Sequence, residues 1–450
     1  MSEQPRTIGI VGGGVAGLTA AYRLLQAGHR VRLFEAGPSL GGLVRTFEVG
    51  GEPLERFYHH IFTTDTAVVR LINEVGVNER LIWRPSKVGI FYGDRIYPFV
   101  TPLDLLRFTP VSLPDRVRLG LMGLWLRRQR DGARYENITA TEWIRRFAGQ
   151  RNLDVVWGPL LYGKFGEMGD QLVMTWLWNK FHLRFASRSG PFQKEVLGYL
   201  LGSFGGWIEA LIERVRALGG ELNAGSPVKR IVSEGDRIGL ETATGGGGPQ
   251  LFDAVVVTVA NKIFQRIAPP LPESYAAKLE GVPYQDATCL VLALKRPLSS
   301  TYWLTINDRS VPFLAIVEHT NLIEPERYGG QHVVYVSNYL HKDSPLLRMS
   351  IEEIWDLYLP HLKRINPEFD ESWVNERWLF HGPDAQPVFT VGASGHIPEH
   401  RTPLPGLYLA NMSQIYPQDR GQNYSILLGE TIAEMVTTDL ARARVAQYQV

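Results

Sequence analysis

Apolar positions fall into two periods along the chain, and the period changes twice within the first thirty-five residues. Thr7–Val11 is a mostly apolar run of strand length, residues 17–27 repeat their apolar positions at helical spacing, and 30–35 return to strand character after a turn at Gly28. That order predicts a βαβ unit at the head of the chain. From about 66 to 200 the pattern reads as helical, in apolar, aromatic-rich segments bounded by prolines. Residues 206–218 place Trp207, Ile208, Leu211, Ile212 and Val215 at helical spacing and stop at Gly219-Gly220. Strands are expected at 227–232 and Arg237–Thr242. Residues 251–259 should form the second arm of a hairpin across the glycine run 245–248, with 254–259 a continuous buried strand. Residues 289–294, 313–317 and 333–337 alternate like a sheet, 407–410 form a last short strand, and 425–440 a last helix.

Composition narrows the function more than the fold. With 44% hydrophobic and 21% charged residues the chain has the make-up of a globular enzyme, and a formal charge of +1 supplies no field to recruit nucleic acid. The one cysteine, Cys289, excludes an intramolecular disulfide and any cysteine-based zinc site, and no metal is expected. No basic and apolar leader is visible from Met1 to Gln4, and no apolar run approaches the roughly 20 residues of a spanning helix. A cytoplasmic protein is the expectation. Residues 116–130 leave a peripheral contact with the inner membrane face open, because Val117, Leu119, Leu121, Met122, Leu124, Trp125 and Leu126 are bracketed by Arg116, Arg118, Arg127, Arg128 and Arg130. The preferred reading of that stretch is a buried helix with solvated ends. Aromatic residues crowd Trp157, Tyr162, Phe165, Trp176, Trp178, Phe181, Phe185, Phe192, Phe204 and Trp207. Most should be core, but as a set they favour a small-molecule substrate with apolar surface. Oligomeric state is not legible.

The chemistry starts at Gly12-Gly13-Gly14-Val15-Ala16-Gly17, which follows a strand and opens a helix. Gly12 permits the tight turn, Gly14 lets backbone approach a pyrophosphate, and Gly17 lets helix and sheet close up. The helix N-terminus at Val15 and Ala16 then offers free N–H groups to phosphate. Glu35, followed by Ala36, ends the second strand where an acid accepts a hydrogen bond from a ribose hydroxyl.

Gly41-Gly42-Leu43-Val44-Arg45-Thr46 resembles the stretch that follows this acid in the FAD-dependent amine oxidase superfamily. That group includes protoporphyrinogen oxidase and phytoene desaturase, with UDP-galactopyranose mutase as a distant relative. The resemblance continues at Ser226-Pro227-Val228, where it implies a backbone contact from Val228 to adenine, at 254–259, and at Gly406-Leu407-Tyr408-Leu409-Ala410. It implies an α/β fold: a GxGxxG-type FAD-binding Rossmann-like domain, discontinuous over 1–65, 200–268 and 390–450. An α+β substrate-binding domain is inserted over 66–199 and 269–389. In the resembling families the helix after Tyr416-Pro417-Gln418-Asp419-Arg420-Gly421-Gln422-Asn423-Tyr424-Ser425 points its N–H groups at the flavin, so Gly421, Asn423 and Tyr424 join the expected cofactor set.

Three departures from the family pattern carry information. After Leu409-Ala410 the family has Gly-Asp and this chain has Asn411-Met412; methionine cannot accept the hydrogen bonds of that aspartate, and Asn411 is the candidate to compensate. His59-His60-Ile61-Phe62 resembles the segment beside the flavin in UDP-galactopyranose mutase, which makes His60, with Tyr424, a catalytic candidate. The strand position of the amine-oxidase lysine falls on Cys289, with Lys295 elsewhere. These readings favour a non-covalent FAD enzyme that abstracts hydride from a C–H bond of a largely apolar substrate. The alternatives are a redox-neutral mutase acting on a sugar nucleotide and a non-catalytic binding protein on the same fold.

Overall fold

The computed structural model describes residues 5–186, 195–243 and 248–448; Met1–Gln4, Phe192, Gly245–Gly247 and the side chain of Phe185 lie outside that description. Five parallel strands form the first sheet, in the order Glu221–Asn223, Arg30–Phe34, Thr7–Val11, Ala254–Val257, Leu407–Leu409. Along Thr7–Val11 the side chains alternate. Ile8 and Ile10 are buried with Leu18, Leu211 and Ile432, from the helices Val15–Gln26, Gly205–Ala217 and Gln422–Tyr448. Val11 packs the other way, with Leu240 and Phe252 of a three-stranded antiparallel sheet. A parallel sheet covered on both faces needs such apolar strands. All its strands end toward one edge, where ligands of open α/β sheets bind.

The second unit is a seven-stranded sheet in the order Val374–Pro387, Tyr284–Leu294, His332–Leu340, Ala315–Glu318, Trp303–Ile306, Val88–Tyr92, Arg95–Pro98. One face of Tyr284–Leu294 (Leu290, Leu292, Leu294) packs with Ile354 and Leu362 of the helix Ile351–Ile365. The other (Cys289, Val291, Ala293) joins the core shared with the parallel sheet. Helices between 102 and 186 form a third cluster around Trp143, Phe165 and Trp176.

Three expectations are corrected. The single strand at 254–259 with its arm from 251 is two strands in different sheets: Gln250–Phe252 pairs with the meander and Ala254–Val257 with Thr7–Val11. Asp253 makes the transfer, since its carboxylate accepts the Thr7 amide at 2.7 Å and its own amide donates to the Thr7 carbonyl at 2.8 Å. The stretch from 66 to 200 also contains strands. The hairpin Val88–Tyr92/Arg95–Pro98 turns at Gly93-Asp94, both in the left-handed region with φ of 55° and 56°. Finally, the helix expected within 116–130 spans Leu113–Arg128 and is buried only along Leu119, Met122, Gly123 and Leu126.

Glu55 ends the short strand Glu52–Glu55 inside the core shared by the two units, 1% exposed. Tyr199 donates its hydroxyl to the carboxylate at 2.9 Å, the Phe204 amide donates as well, and Tyr335 donates to the Glu55 carbonyl at 2.7 Å. Burial pushes this carboxyl from its ordinary 4.5 up to about 7, with the hydrogen bonds opposing. Because the folded value is raised, the folded protein binds the extra proton, and the stability this gives is lost as pH rises from 4.5 through 7. The loss is about 3 kcal/mol at full expression. Glu55→Gln should therefore remove part of the decline in thermal midpoint between pH 5 and pH 8. An unchanged pH profile in the variant would refute the assignment.

Candidate active site

At the edge where the parallel strands end, local geometry dictates each glycine. Gly12 has φ of +111°, and a Cβ there would lie 2.4 Å from Thr258 Oγ1. That hydroxyl donates to the Val11 and Gly12 carbonyls at 3.1 and 3.2 Å. A Cβ on Gly17 would come within 2.0 Å of the Gly12 carbonyl oxygen. Gly14 differs: it is the extended N-cap of Val15–Gln26, has no side-chain cap, and a Cβ on it would meet nothing within 4 Å. The space beyond Gly14 is where the amides of the first helical turn, at Val15, Ala16 and Gly17, would meet a phosphate. Gly41 donates its amide to the Gly13 carbonyl at 2.8 Å, and a Cβ on Gly42 would lie 3.2 Å from Gly14 Cα, so the 41–42 turn lies directly against the loop. Arg45 is tied back by Nε to the Gly42 carbonyl at 3.0 Å. A cavity of about 250 Å³ opens beside Gly42, Leu43 and Arg45, with Arg56, Phe380 and Gly382 on its other wall.

Glu35 accepts one amide on each carboxylate oxygen, from Gly13 at 2.7 Å and Gly37 at 2.6 Å. A carboxylate has about four acceptor sites, so capacity for hydroxyl donors is left. Ala36 is exposed next to it. The Ser226 amide donates to the Glu35 carbonyl at 2.8 Å, which brings Val228 to this side. Pairing slips between Val228 and Arg230, a bulge that breaks the ladder at Val228.

The C-terminal candidates divide. Asn411 is 3% exposed. Its Oδ1 accepts the Ser413 amide and hydroxyl at 3.0 and 2.7 Å, and its Nδ2 donates to the Val259 carbonyl and Asn261 Oδ1 at 2.8 and 2.9 Å. Every hydrogen-bonding site of that amide is used inside the protein, and the Asn411 backbone is engaged too: the N–H donates to Gln414 Oε1 at 2.9 Å and the carbonyl accepts the Gln414 amide at 3.1 Å. Met412 is half-buried against the core. Asn423 Oδ1 accepts the Ala67 and Val68 amides at 2.8 and 3.3 Å, capping the helix Thr66–Val75 rather than facing outward. The final helix starts at Gln422, three residues earlier than expected. Gln422 Oε1 accepts the Trp207 indole N–H at 2.8 Å, and its Nε2 is buried with no partner among the described residues. Gly421 has no neighbour that would obstruct a Cβ.

Sequence reasoning missed a buried charge cluster just before this helix. Asp419 meets Lys164 Nζ at 2.7 Å, Lys180, and the Gln386 amide at 3.1 Å. Burial alone would raise its carboxyl; Lys164, Lys180 and Arg420 outweigh burial and hold it well below the usual carboxylate range. Arg420 donates to the Tyr339 hydroxyl and lies over that ring at 5.4 Å, while its Nε is buried without a partner among the described residues. Tyr424 stands near Asp65 and Asp419, and burial followed by those charges pushes its hydroxyl up to about 12. The available signal was Lys164, a cation in the apolar, aromatic helix Gly158–Phe165.

Both histidines are half-buried. His59 donates Nδ1–H to the Phe57 carbonyl at 2.6 Å, and burial pushes it down to about 4, so it is neutral at ordinary pH. His60 Nδ1 is 3.1 Å from the Tyr302 hydroxyl, with Phe62 and Trp303 edge-on at 5.2 and 5.8 Å. Cys289 is fully buried mid-sheet opposite Ser337 and Phe380, and burial raises its thiol far above its ordinary value. Lys295 is remote, donating to the Ser372 carbonyl at 2.6 Å. No group of three or more metal-binding side chains occurs among the described residues. Open space before an uncapped helix, a glycine cradle, and the buried donors Gln422 Nε2 and Arg420 Nε fit an anionic nucleotide cofactor.

Comparison with known proteins agrees with this geometry. The chain is 24% identical over 471 residues to the 15-cis-phytoene desaturase of an Oncidium hybrid cultivar, covering 97% of this chain and 78% of the relative. It is 34% identical over 167 residues to coproporphyrinogen III oxidase of Mycobacterium tuberculosis, covering 36% of this chain and 34% of that one. Reduced UDP-galactopyranose mutase superposes with a TM-score of 0.73 at 16% identity, over 96% of this chain and 95% of its own, a likeness of fold. The model of the flavin containing amine oxidoreductases matches residues 15–418. The chain belongs to that family, and is a flavin-dependent oxidoreductase of the α/β type that its glycine loop implies.

Proposed function

We propose that the protein binds FAD without a covalent link and uses it to take hydride from a C–H bond of a largely apolar organic substrate, as a desaturase or oxidase. In this reading segments 1–65, 200–268 and 390–450 hold the nucleotide, and 66–199 with 269–389 shape the substrate. The observation that carries it is the sheet face packed toward the cofactor unit. Cys289, Tyr335, Trp378 and Phe380 stand there, with Trp378 and Phe380 5.0 and 4.7 Å from Phe47 and Tyr335 6.1 Å from Tyr58. That wall is aromatic, and its thiol is held protonated, so it supports apolar contact better than base catalysis.

The flavin, when bound, supplies a two-electron acceptor for the hydride. The chain supplies the rest. The amides at Val15–Gly17 and the Glu35 carboxylate would hold phosphate and ribose. The start of Gln422–Tyr448 and the Arg420 guanidinium would supply positive charge to the reduced flavin. His60 Nδ1 and the Tyr302 hydroxyl share a hydrogen bond that fixes the imidazole, with burial holding the phenol protonated. The surroundings of two candidate attachment atoms support a non-covalent bond: Cys289 is sealed in the sheet and His59 Nδ1 is engaged with Phe57.

Anaerobic mixing with a polyene, a porphyrinogen and a cyclic amine tests the reaction. One of the first two is expected to bleach the flavin absorbance in a single turnover. Bleaching by the amine alone would overturn the substrate class. Turnover of a sugar nucleotide only after prior reduction would establish the mutase reading instead.

A further inference from the structure

The helices Pro102–Arg107 and Leu113–Arg128 carry apolar side chains on the side that the core does not use. Leu119, Met122 and Leu126 of the longer helix are buried among the aromatic cluster. Val117, Leu121, Leu124 and Trp125 point away from it and are 47%, 59%, 47% and 49% exposed. Leu103 and Leu106 on the shorter helix are 50% and 48% exposed. A helix apolar on both faces has one face left to cover. The two helices act as one platform, because Arg116 donates to the Val111 and Leu106 carbonyls at 2.9 and 2.7 Å.

The charge around this platform is one-sided. Residues 102–131 hold six arginines and three aspartates, in a chain whose net charge is +1. All three aspartates are engaged in local hydrogen bonds. Asp104 caps Thr101, Asp115 caps with Ser112, and Asp131 accepts the Ala133 amide. Arg107, Arg118, Arg127, Arg128 and Arg130 stay exposed beside the leucines. Apolar side chains set among an excess of arginines match acyl chains below and phosphates above. A second copy of this chain would cover the leucines but would set the same positive excess against itself.

We propose that this platform docks the protein on an anionic lipid surface. The aromatic cluster that buries Leu119, Met122 and Leu126 also holds Trp176, whose ring lies under Lys164 and Lys180 at 4.9 and 5.5 Å. The proposal rests on the surface alone and stands or falls apart from the redox reading.

Flotation of the holoprotein with two vesicle types tests it: phosphatidylcholine alone, and phosphatidylcholine with about a third phosphatidylglycerol. The protein should rise with the anionic vesicles, stay behind with the neutral ones, and release as salt is raised. Leu121→Glu combined with Trp125→Glu should weaken binding about tenfold or more, with flavin absorbance and melting unchanged. Arg127→Gln with Arg128→Gln, which leaves the apolar face intact, should weaken it about tenfold. Equal flotation of wild type and both variants would overturn the proposal, as would failure of the wild type to float. So would sedimentation showing a dimer that the Leu121→Glu, Trp125→Glu pair dissociates, since the face would then be a contact between copies.

Discussion

Gly14→Val is expected to yield a folded protein that carries no flavin, and Gly17→Val to yield little folded protein. A Cβ at Gly14 meets no protein atom within 4 Å, and its φ of −77° and ψ of −176° lie where valine is at ease. The added methyls would stand in the free space before the Val15 helix, where a pyrophosphate must approach. The fold keeps its contacts and the cofactor loses its place. At Gly17 the order reverses: a Cβ 2.0 Å from the Gly12 carbonyl oxygen forces the first helix off the sheet. Overpacking of that kind costs roughly 3 kcal/mol or more, a large part of a total near 5–15 kcal/mol. Flavin-to-protein absorbance and the circular dichroism melt read the two effects separately. Full flavin in the Gly14 variant would move the nucleotide elsewhere.

Asp419→Asn should destabilise the protein by about 3–5 kcal/mol, because the carboxylate is the counter-charge to Lys164, Lys180 and Arg420 in a buried site. Asparagine keeps the shape and an acceptor but removes the charge. Adding Lys164→Met should restore part of the loss, since it takes away one of the cations left behind. The pH dependence separates this site from Glu55. A carboxyl held below its ordinary 3.8 contributes stability above that value and loses it only as pH falls beneath it. The Asp419→Asn deficit should therefore be flat from pH 5 to 8, the interval in which Glu55 titrates. Chemical denaturation at several pH values measures both, and a deficit that vanishes at pH 8 would contradict the cluster.

The parts of this molecule that could be read from the chain are those decided by neighbours in sequence. Thr7–Val11 and Gly205–Ala217 follow their apolar periods, and the spacing of Gly12, Gly14 and Gly17 specifies a backbone path that few other residues allow. The Gly93-Asp94 turn was equally local, a two-residue pair with positive φ between aromatic arms, but it falls within the Pro-bounded apolar stretch whose pattern reads as helical. Other features depend on partners far along the chain. Asp253 splits one apolar run between two sheets because it exchanges hydrogen bonds with Thr7, 246 residues away. Asn423 resembles a cofactor ligand until Ala67, 356 residues away, claims its carbonyl. Asn411 is likewise taken by Val259 and Asn261. Lys164 joins Asp419 across 255 residues with no period or motif to announce it. Leu113–Arg128 is apolar on both sides, so periodicity could not tell the buried face from the exposed one.

The most direct test of the account is acid precipitation of the freshly purified protein, with flavin quantified by absorbance and mass in pellet and supernatant. The account predicts about one FAD per chain, all of it in the supernatant, because the glycine loop, Glu35 and the final helix hold it by contacts that unfolding abolishes. Yellow colour retained in the pellet, or a preparation that releases no FAD at all, would contradict it.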